Sequence, residues 1–279
     1  AYQIPEADRA DRGIALANVI NIPPGESVTA VVPVRDFGEV DFCTMVTRLG
    51  RIKRLALSEF AAVRPSGIIA TNLDDGDVLG WVRLTRGNQE IILITERGKA
   101  LRYEETEVRA MGRNAAGVNA IRLDDGDFVA SMEVVEADGQ LLVVTANGYG
   151  KRTPFSDYPA KGRATGGVQT IAPSALETTG IIVSARAVRE EDDITLITTN
   201  GQSLRLKVAE VRQSSRATMG TRLIHVKDGD AVASVARLAA ADLAMPAEAA
   251  PANGKPAEPE PEAEAAPEPE TADNGPAPA

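Results

Sequence analysis

Short apolar runs that end in glycine-containing turns dominate the first 240 residues of the chain. Such runs occur at 91–94, 141–144 and 194–197, and each leads directly into a turn. Apolar runs of this length bounded by turn residues are typical of strands joined in hairpins. Before residue 240 no segment carries a long apolar stripe at helical spacing. The pattern therefore predicts an all-β fold.

A repeated pattern, Thr-x-x-Gly-x-x-x-Arg, divides this region into similar units. Its internal spacing is invariant, whereas successive copies lie 48, 50 and 53 residues apart. The copies are Thr47/Gly50/Arg54, Thr95/Gly98/Arg102, Thr145/Gly148/Arg152 and Thr198/Gly201/Arg205. A repeat of roughly 50 residues that contains about four short strands is typical of a propeller-like blade.

Two further markers recur in phase with the first. Acidic turns lie at 74–77, 124–127 and 228–230, and turn chemistry explains them better than calcium, because the twelve-residue ligand loop is missing. The other marker is Arg-x-x-x-Gly followed by an apolar residue or Thr, and it lies at Arg9/Gly13, Arg113/Gly117, Arg163/Gly167 and Arg216/Gly220.

From these markers we expect one domain at 1–240, with units at about 9–62, 63–110, 111–160, 161–214 and 215–238.

The formal charge of −10 is concentrated at one end of the chain. Residues 241–279 hold nine acids and one base, Lys255, among many Ala and Pro residues, and the other 240 residues hold 31 acids and 29 bases. A segment of this composition buries too little apolar surface to offset the entropy of ordering, so we expect a disordered acidic tail at 241–279. Any nucleic-acid site in the body must then be a patterned cationic face.

Several other functions find little support in the residues. Cys43 lies in an apolar stretch, which favours burial over redox chemistry, and His225 has no second His or Cys nearby for a metal site. We expect neither a membrane span nor a signal peptide, and hence a cytoplasmic protein. The chain begins at Ala1 without an initiator Met, which suggests a piece of a longer protein.

Several segments in order resemble the C-terminal domain of the DNA gyrase A protein. They are 2–7 (Tyr-Gln-Ile-Pro-Glu-Ala), 108–112 (Val-Arg-Ala-Met-Gly), 147–152 (Asn-Gly-Tyr-Gly-Lys-Arg) and 158–159 (Tyr-Pro). The resemblance runs from Tyr2 to about Leu238. One departure is that the family's Gln-Arg-Arg-Gly-Gly-Lys-Gly box is absent, with degenerate relatives at 111–117 and 161–167. The homologous domain of topoisomerase IV, which lacks the box, therefore stays an alternative.

The resemblance implies a six-bladed β-pinwheel that wraps double-stranded DNA with positive handedness, without sequence specificity, and thereby enables ATP-dependent negative supercoiling by the whole enzyme. It implies no catalysis by this chain and no cofactor in it, whereas the whole enzyme uses ATP and Mg. The implied partners are DNA, the rest of a dimeric gyrase A, and gyrase B in a heterotetramer, in the bacterial cytoplasm and without a membrane. Tyr103 resembles the cleavage tyrosine only superficially, because the repeat places it on a blade strand.

Cations repeated from blade to blade are the candidate DNA-binding residues, because wrapping requires phosphate neutralisation along a curved surface. For Arg54, Arg102 and Arg205, binding to carbonyls or to the repeated aspartates is an equal alternative. For 151–152 and 161–163 we favour DNA, since these cations lie beside glycines without acids nearby in the sequence. The candidates are Arg113, Lys151, Arg152, Lys161, Arg163 and Arg216, together with Arg54, Arg102 and Arg205.

Two other classes of function remain open at this point. A propeller can serve purely as a platform for protein partners. A propeller enzyme is the third candidate, although no convergent nucleophile, base or metal set is visible. For the acidic tail, an inert solubilising extension and a segment that competes with DNA for the basic rim are the alternatives.

Overall fold

A computed structural model describes residues 25–34, 41–61 and 67–243, together with positions 14, 22 and 37. Residues 244–279 of the expected tail and 20 of the 54 residues in the expected first unit, 9–62, lie outside the described residues. The strands are β1 Phe42–Thr47, β2 Arg51–Ala56, β3 Leu79–Thr85, β4 Glu90–Thr95, β5 Lys99–Glu104, β6 Val118–Asn119, β7 Val129–Val134, β8 Gln140–Thr145, β9 Tyr149–Pro154, β10 Val168–Gln169, β11 Ile182–Val188, β12 Asp193–Thr198, β13 Ser203–Lys207, β14 Thr221–Arg222 and β15 Val232–Leu238.

Helical structure within the described residues is confined to single turns. The 3-10 turns are Leu57–Phe60, Glu105–Glu107, Phe155–Asp157, Pro173–Ala175 and Val208–Glu210, and the α-helical turns are α1 Leu176–Thr179 and α2 Ala240–Leu243. No helix of the described part is long and apolar enough to cross a membrane. The expectation of an all-β fold is confirmed.

The strands form four small antiparallel sheets, each a blade of a propeller-like arrangement. The strand orders are β3-β1-β2-β6 in the first blade, β7-β4-β5-β10 in the second, β11-β8-β9-β14 in the third and β15-β12-β13 in the fourth. Six blades therefore stay a prediction, with four present in the described residues.

Neighbouring blades exchange a strand. The two-residue strand β6 follows the hairpin of the second blade in the chain, yet it pairs with β2 of the first blade through Arg51↔Asn119 and Ile52↔Val118. In the same way β10 pairs with β5, and β14 pairs with β9. The second sequence marker immediately precedes each exchanged strand, which explains why it recurs in phase with the hairpin motif.

The innermost strands surround a central channel. A cavity of about 440 Å³ is lined by residues of β3, β7, β11 and β15, among them Val82, Ala130 and Val235. Because these strands form one edge of each sheet, the exchanged strands at the opposite edge lie on the outer rim. Ion pairs join the channel strands, with Glu133 lying 2.5 Å from Arg83 and 2.9 Å from Arg186.

The apolar core lies between blades rather than within them. On β4, Ile91 and Leu93 pack towards the first blade, whereas Ile92 and Ile94 pack towards the third. Since successive side chains of a strand point to opposite faces, burial on both sides requires an uninterrupted apolar run. On the fourth blade the equivalent Ile197 is 38% exposed, because one face of that sheet has no neighbour among the described residues.

The Thr-x-x-Gly-x-x-x-Arg motif forms the turn of each blade hairpin. The Thr47 hydroxyl oxygen accepts from Arg51 N at 3.0 Å, and Thr95 does the same for Lys99 N at 3.1 Å. The last aspartate of each acidic turn caps this hairpin: Asp127 Oδ1 accepts from Arg97 N at 2.9 Å, Asp77 Oδ1 from Leu49 N at 2.9 Å, and Asp230 Oδ1 from Asn200 N at 3.0 Å. The acidic clusters are thus turn residues, as the sequence predicts.

Candidate nucleic-acid interface

The outer edge of each of three blades is formed by a loop that we call the rim loop, at 111–117 on the first blade, 161–167 on the second and 214–220 on the third. Each rim loop ends in a glycine with positive φ, and a Cβ at Gly167 would lie 2.4 Å from the Ala100 carbonyl oxygen. At Gly117 the corresponding distance to Ile52 O is 2.5 Å. These glycines allow the loop to dock on the neighbouring strand. Their close contact is thus with the main chain of that strand.

Three predicted cations occupy the rim loops with their charge open to solvent. Lys161 is exposed, and its Nζ makes only a long contact of 3.4 Å with the Gly167 carbonyl oxygen. Arg113 is half-buried and lies 3.6 Å from Glu59. The guanidinium of Arg216 has no hydrogen-bond partner among the described residues and borders a surface cavity of about 720 Å³ with Asp157. These positions suit contact with an extended anion.

Arg163 is at the equivalent rim position but is engaged within the protein. Its backbone N–H donates to the Glu107 carboxylate at 2.6 Å, and its guanidinium donates to the carbonyl oxygens of Glu107 and Asn119. The side chain is only partly exposed. Arg163 therefore fixes the loop of the second blade while it contributes charge to the rim.

The arginine of the hairpin motif joins each blade to the next one. Arg102 donates to the carbonyl oxygens of Phe155 at 2.7 Å and Tyr158 at 3.2 Å, both on the third blade, and pairs with Glu90. Arg54 is buried and lies 3.4 Å from the carboxylate of Glu105. The contacts of Arg54 and Arg102 are therefore those expected from the alternative interpretation, in which these arginines bind acceptors within the protein and support blade turns.

Arg205 occupies the same motif position on the fourth blade but faces solvent. Its side chain is 54% exposed and pairs with Asp193 at 2.7 Å. The blade-joining acceptors that Arg54 and Arg102 use have no counterpart for Arg205 among the described residues. Of the three, Arg205 is the one whose charge is open to an external anion.

Lys151 and Arg152 lie inside the protein, contrary to the expectation of an exposed glycine-rich loop. Both are on strand β9, with relative exposures of 1% and 7%. Lys151 Nζ donates to Ser215 O at 2.8 Å and also to Arg216 O, while Arg152 Nε donates to Val211 O at 2.7 Å. Arg152 also pairs with Glu190, an acid distant in sequence, at 3.0 Å. The placement of these two cations on a loop was wrong.

Several cations near the rim were missed by the sequence analysis. Arg122 and Lys99 line a surface cavity of about 380 Å³ with Lys161 on the second blade, and the exposed Arg222 lies on β14, where its guanidinium stacks on the Tyr149 ring. Lys53 is buried on β2, with Nζ donating to Ala70 O at 2.7 Å and to Arg113 O. Lys53 is level with Lys151 in the repeat, and this spacing could have identified it.

Burial changes the pKa of the two interior lysines. Desolvation, together with the nearby charge of Arg216, lowers the pKa of Lys151 to about 8, whereas Asp157 acts in the opposite direction. Desolvation and then Arg113 likewise lower the pKa of Lys53. Burial raises the pKa of Tyr103, which lies on strand β5 and not in an exposed loop.

Small antiparallel sheets repeated around a central channel define the class of β-propeller domains, and in this chain neighbouring blades also exchange strands. The chain belongs to the family described as the DNA gyrase C-terminal domain, beta-propeller, whose model matches residues 1–35, 41–85, 89–136, 139–189 and 192–239. The last four matched segments begin 48, 50 and 53 residues apart, as the copies of the hairpin motif do, although their boundaries differ from those of the predicted units.

Curated relatives agree with this assignment. The DNA gyrase A protein of Halalkalibacterium halodurans is 51% identical over 237 residues, and that of Clostridium acetobutylicum is 42% identical over 238 residues. The protein of the same name from Salmonella typhimurium is 40% identical over 238 residues. Each alignment covers 85% of this chain but at most 28% of the relative, so the chain spans less than a third of these relatives' length.

Solved structures place the fold in the same group. The C-terminal domain of DNA topoisomerase IV matches with a TM-score of 0.76 at 30% identity, over 82% of this chain and 72% of that one. The DNA gyrase A C-terminal domain matches with a TM-score of 0.75 at 25% identity, over 82% of this chain and 75% of that one.

Proposed function

We propose that this chain binds double-stranded DNA along its outer rim, without sequence specificity, and bends the duplex around successive blades. The observation that carries the proposal is the placement of Arg113, Arg163 and Arg216 at one equivalent position on three consecutive blades. A row of cations on a curved edge neutralises phosphates and releases counterions whatever the base sequence. Base-specific reading by a helix in the major groove has no candidate in the described part, where each helical turn has at most four residues.

The task that we propose for each candidate cation depends on how far its charged group is exposed to solvent. Lys161, Arg113 and Arg216 contact phosphates directly, with Arg122 and Arg222 beside them on the rim. Arg205 adds its charge on the fourth blade. Arg54, Arg102, Lys151 and Arg152 act indirectly, because their charged groups already bind carbonyl or carboxylate oxygens inside the protein.

The role within a larger enzyme is a further part of the proposal. Because the chain is similar to one part of the DNA gyrase A protein, we infer that it is a non-catalytic DNA-wrapping module of a type II topoisomerase. Its partners would be the rest of a dimeric gyrase A and the gyrase B protein, in the bacterial cytoplasm. Wrapping by this module would let the whole enzyme use ATP and Mg for negative supercoiling, with both cofactors held outside this chain.

A topoisomerase IV assignment is the second candidate. The observation in its favour is the structural match to the topoisomerase IV C-terminal domain, which has a TM-score as high as that to the gyrase domain. The gyrase resemblance implies chiral wrapping, so a shift in DNA linking number would favour the gyrase assignment. A platform for protein partners alone would instead leave DNA unbound.

The salt dependence of DNA binding tests the proposal. The logarithm of the affinity for a short duplex should fall with the logarithm of salt concentration with a slope of about −0.9 for each phosphate contacted, so roughly 6–10 contacts give a steep line. Lys161→Ala should lower the magnitude of this slope by about 0.9. The matched control is Lys227→Ala, which removes an exposed charge in the acidic turn region and should leave the slope unchanged. Equal effects of the two variants would contradict a rim interface.

A further inference from the structure

Two lysine side chains are buried directly behind rim loops. Lys151 is 1% exposed and Lys53 is 2% exposed, and both ammonium groups donate to the main-chain carbonyl of the loop arginine, Arg216 or Arg113. Lys151 has two further acceptors, Ser215 O at 2.8 Å and Thr218 Oγ1 at 3.2 Å. Burial of a charged amine is costly, so its occurrence at the same position in two blades needs an explanation.

The repeat shows what replaces the buried lysine in the other blades. The equivalent residue is Leu101 on the second blade and Leu204 on the fourth. The rim loop of the second blade instead carries Lys161 on its outer side, whereas the first and third loops have Met111 and Ser214 at that position. Each rim loop therefore carries one arginine and is accompanied by one lysine, which lies on the outer side of the loop in the second blade and on the strand behind the loop in the other two.

The direction of the loop peptides follows from the lysine contacts. A trans peptide is planar, so its N–H points away from its C=O. Because Ser215 O and Arg216 O face the Lys151 ammonium, the N–H groups of Arg216 and Ala217 point away from it, towards the outside of the rim. Neither N–H has an acceptor among the described residues. Successive outward N–H groups of this kind suit an anion such as a phosphate.

We propose that Lys151, and Lys53 at the equivalent position of the first blade, are positioning residues of the DNA interface: each holds a rim loop so that its arginine and its peptide N–H groups face one phosphate of the duplex. The proposal rests on the proposed DNA-binding function and assigns a task to two cations that do not reach DNA themselves. The lysine sets the direction of the peptide dipoles, and the arginine supplies the exposed charge.

The effects on stability and on DNA binding should separate. In Lys151→Leu the chain's own residue from the second and fourth blades replaces the buried charge. The desolvation cost of the ammonium disappears, while the carbonyls of Ser215 and Arg216, which lie on partly or fully exposed loop residues, can accept from water instead. We expect an unfolding midpoint in urea equal to or above that of the unchanged protein. Affinity for a short duplex should fall about tenfold, with a salt slope about 0.9 smaller in magnitude. Lys227→Leu, which removes an exposed charge, is the control and should leave both quantities unchanged.

A double-mutant cycle with Arg216→Ala tests whether Lys151 acts through the loop. If it does, the affinity of the double variant should be close to that of Arg216→Ala alone, because the contact that Lys151 positions is already lost. Hydrogen exchange at Ser214, the rim-loop residue whose N–H donates to Arg152 O at 2.9 Å, gives a readout without DNA, and Lys151→Leu should speed it at least tenfold. If Lys151→Leu does not fold, Lys53→Leu is measured in the same way at Met111, whose N–H donates to Arg54 O at 2.8 Å.

The outcomes distinguish this inference from the proposed function. If the unchanged protein does not bind DNA, the proposed function fails, whereas exchange in the rim loop still reports on the lysine. If the unchanged protein binds DNA and Lys151→Leu binds equally well with unaltered loop exchange, the positioning role is refuted. A parallel loss of stability and affinity, additive with Arg216→Ala, would also overturn it, since that pattern belongs to a residue that only supports the fold.

Discussion

The close contact between the rim loop at 161–167 and strand β5 predicts that Gly167→Ala is strongly destabilising. Gly167 has φ +68°, and an added Cβ would lie 2.4 Å from the carbonyl oxygen and 2.8 Å from the carbonyl carbon of Ala100. The left-handed conformation alone costs an L-residue roughly 1–2 kcal/mol. The clash is with main chain of a paired strand, which cannot rotate away, so the exchanged strand β10 must shift.

Two other glycines of the chain isolate the two contributions. Gly201 has φ +82° but nothing within 4 Å of an added Cβ, and Gly162 has neither positive φ nor a close neighbour. We expect losses in the free energy of unfolding of about 3 kcal/mol for Gly167→Ala and about 1 kcal/mol for Gly201→Ala. Gly162→Ala, in the same rim loop as Gly167, should change stability by less than about 0.5 kcal/mol.

Urea unfolding followed by circular dichroism at 25 °C measures all three variants. DNA affinity should be lower for Gly167→Ala than for Gly162→Ala, because only Gly167→Ala displaces the loop that carries Lys161 and Arg163. The reasoning is refuted if Gly167→Ala and Gly162→Ala are equally stable. Equal losses for Gly167→Ala and Gly201→Ala would show that backbone conformation matters and that the close approach does not.

Three further predictions concern the core, the capped turns and the buried lysine. Ile92→Ala should cost about 2–5 kcal/mol, because Ile92 is fully buried between blades, whereas Ile197→Ala at a 38% exposed position should cost much less, and urea unfolding compares them. Asp127→Ala removes the acceptor for Arg97 N and Phe128 N, so about 1–3 kcal/mol should be lost, with faster hydrogen exchange at Arg97. Because the pKa of Lys151 is about 8 in the folded protein and higher in the unfolded chain, the unfolded state retains the proton longer, and stability relative to Lys151→Leu should rise as the pH increases from about 8 towards 10. If the difference in unfolding free energy between the two proteins is the same throughout this pH range, a lowered pKa of Lys151 in the folded protein is contradicted.

The hairpin of each blade could be predicted because its signals are local. The Thr and Gly of the motif act within one turn, where Thr47 accepts from a residue four positions later and Gly50 adopts φ +82°. The apolar runs at 91–94 and 141–144 indicated strands, and in the structure both faces of these strands are buried. Spacing alone was therefore sufficient for the strands, the turns and the repeat.

The positions of the cations could not be predicted because their partners are distant in sequence. Gly150 made the neighbouring Lys151 and Arg152 look like loop residues, yet Gly150 lies on strand β9. It is small there because an added Cβ would lie 2.5 Å from Leu223 Cδ1, which belongs to an exchanged segment. Arg152 likewise finds its acid, Glu190, 38 residues away. Strand exchange between blades creates these contacts, and a single-unit pattern does not reveal them.

The inward or outward direction of a cation also depends on neighbours. Arg54, Arg102, Arg152 and Arg205 share one motif position, but only Arg205 is more than half exposed. The difference arises because the first three blades have a following blade that supplies carbonyl or carboxylate acceptors within the described residues. The motif therefore identifies the residue type and its strand, and the adjacent blade decides its task.

The linking number of a ligated DNA circle tests the central proposal most directly. Nicked circular DNA is sealed by ligase in the presence of increasing amounts of the protein at low salt, and the topoisomers are separated after the protein is removed. Chiral wrapping around the rim predicts a positive shift in linking number that grows with protein concentration and is smaller for Lys161→Ala than for Lys227→Ala. An unchanged topoisomer distribution at concentrations where the DNA is fully bound would contradict wrapping by these blades.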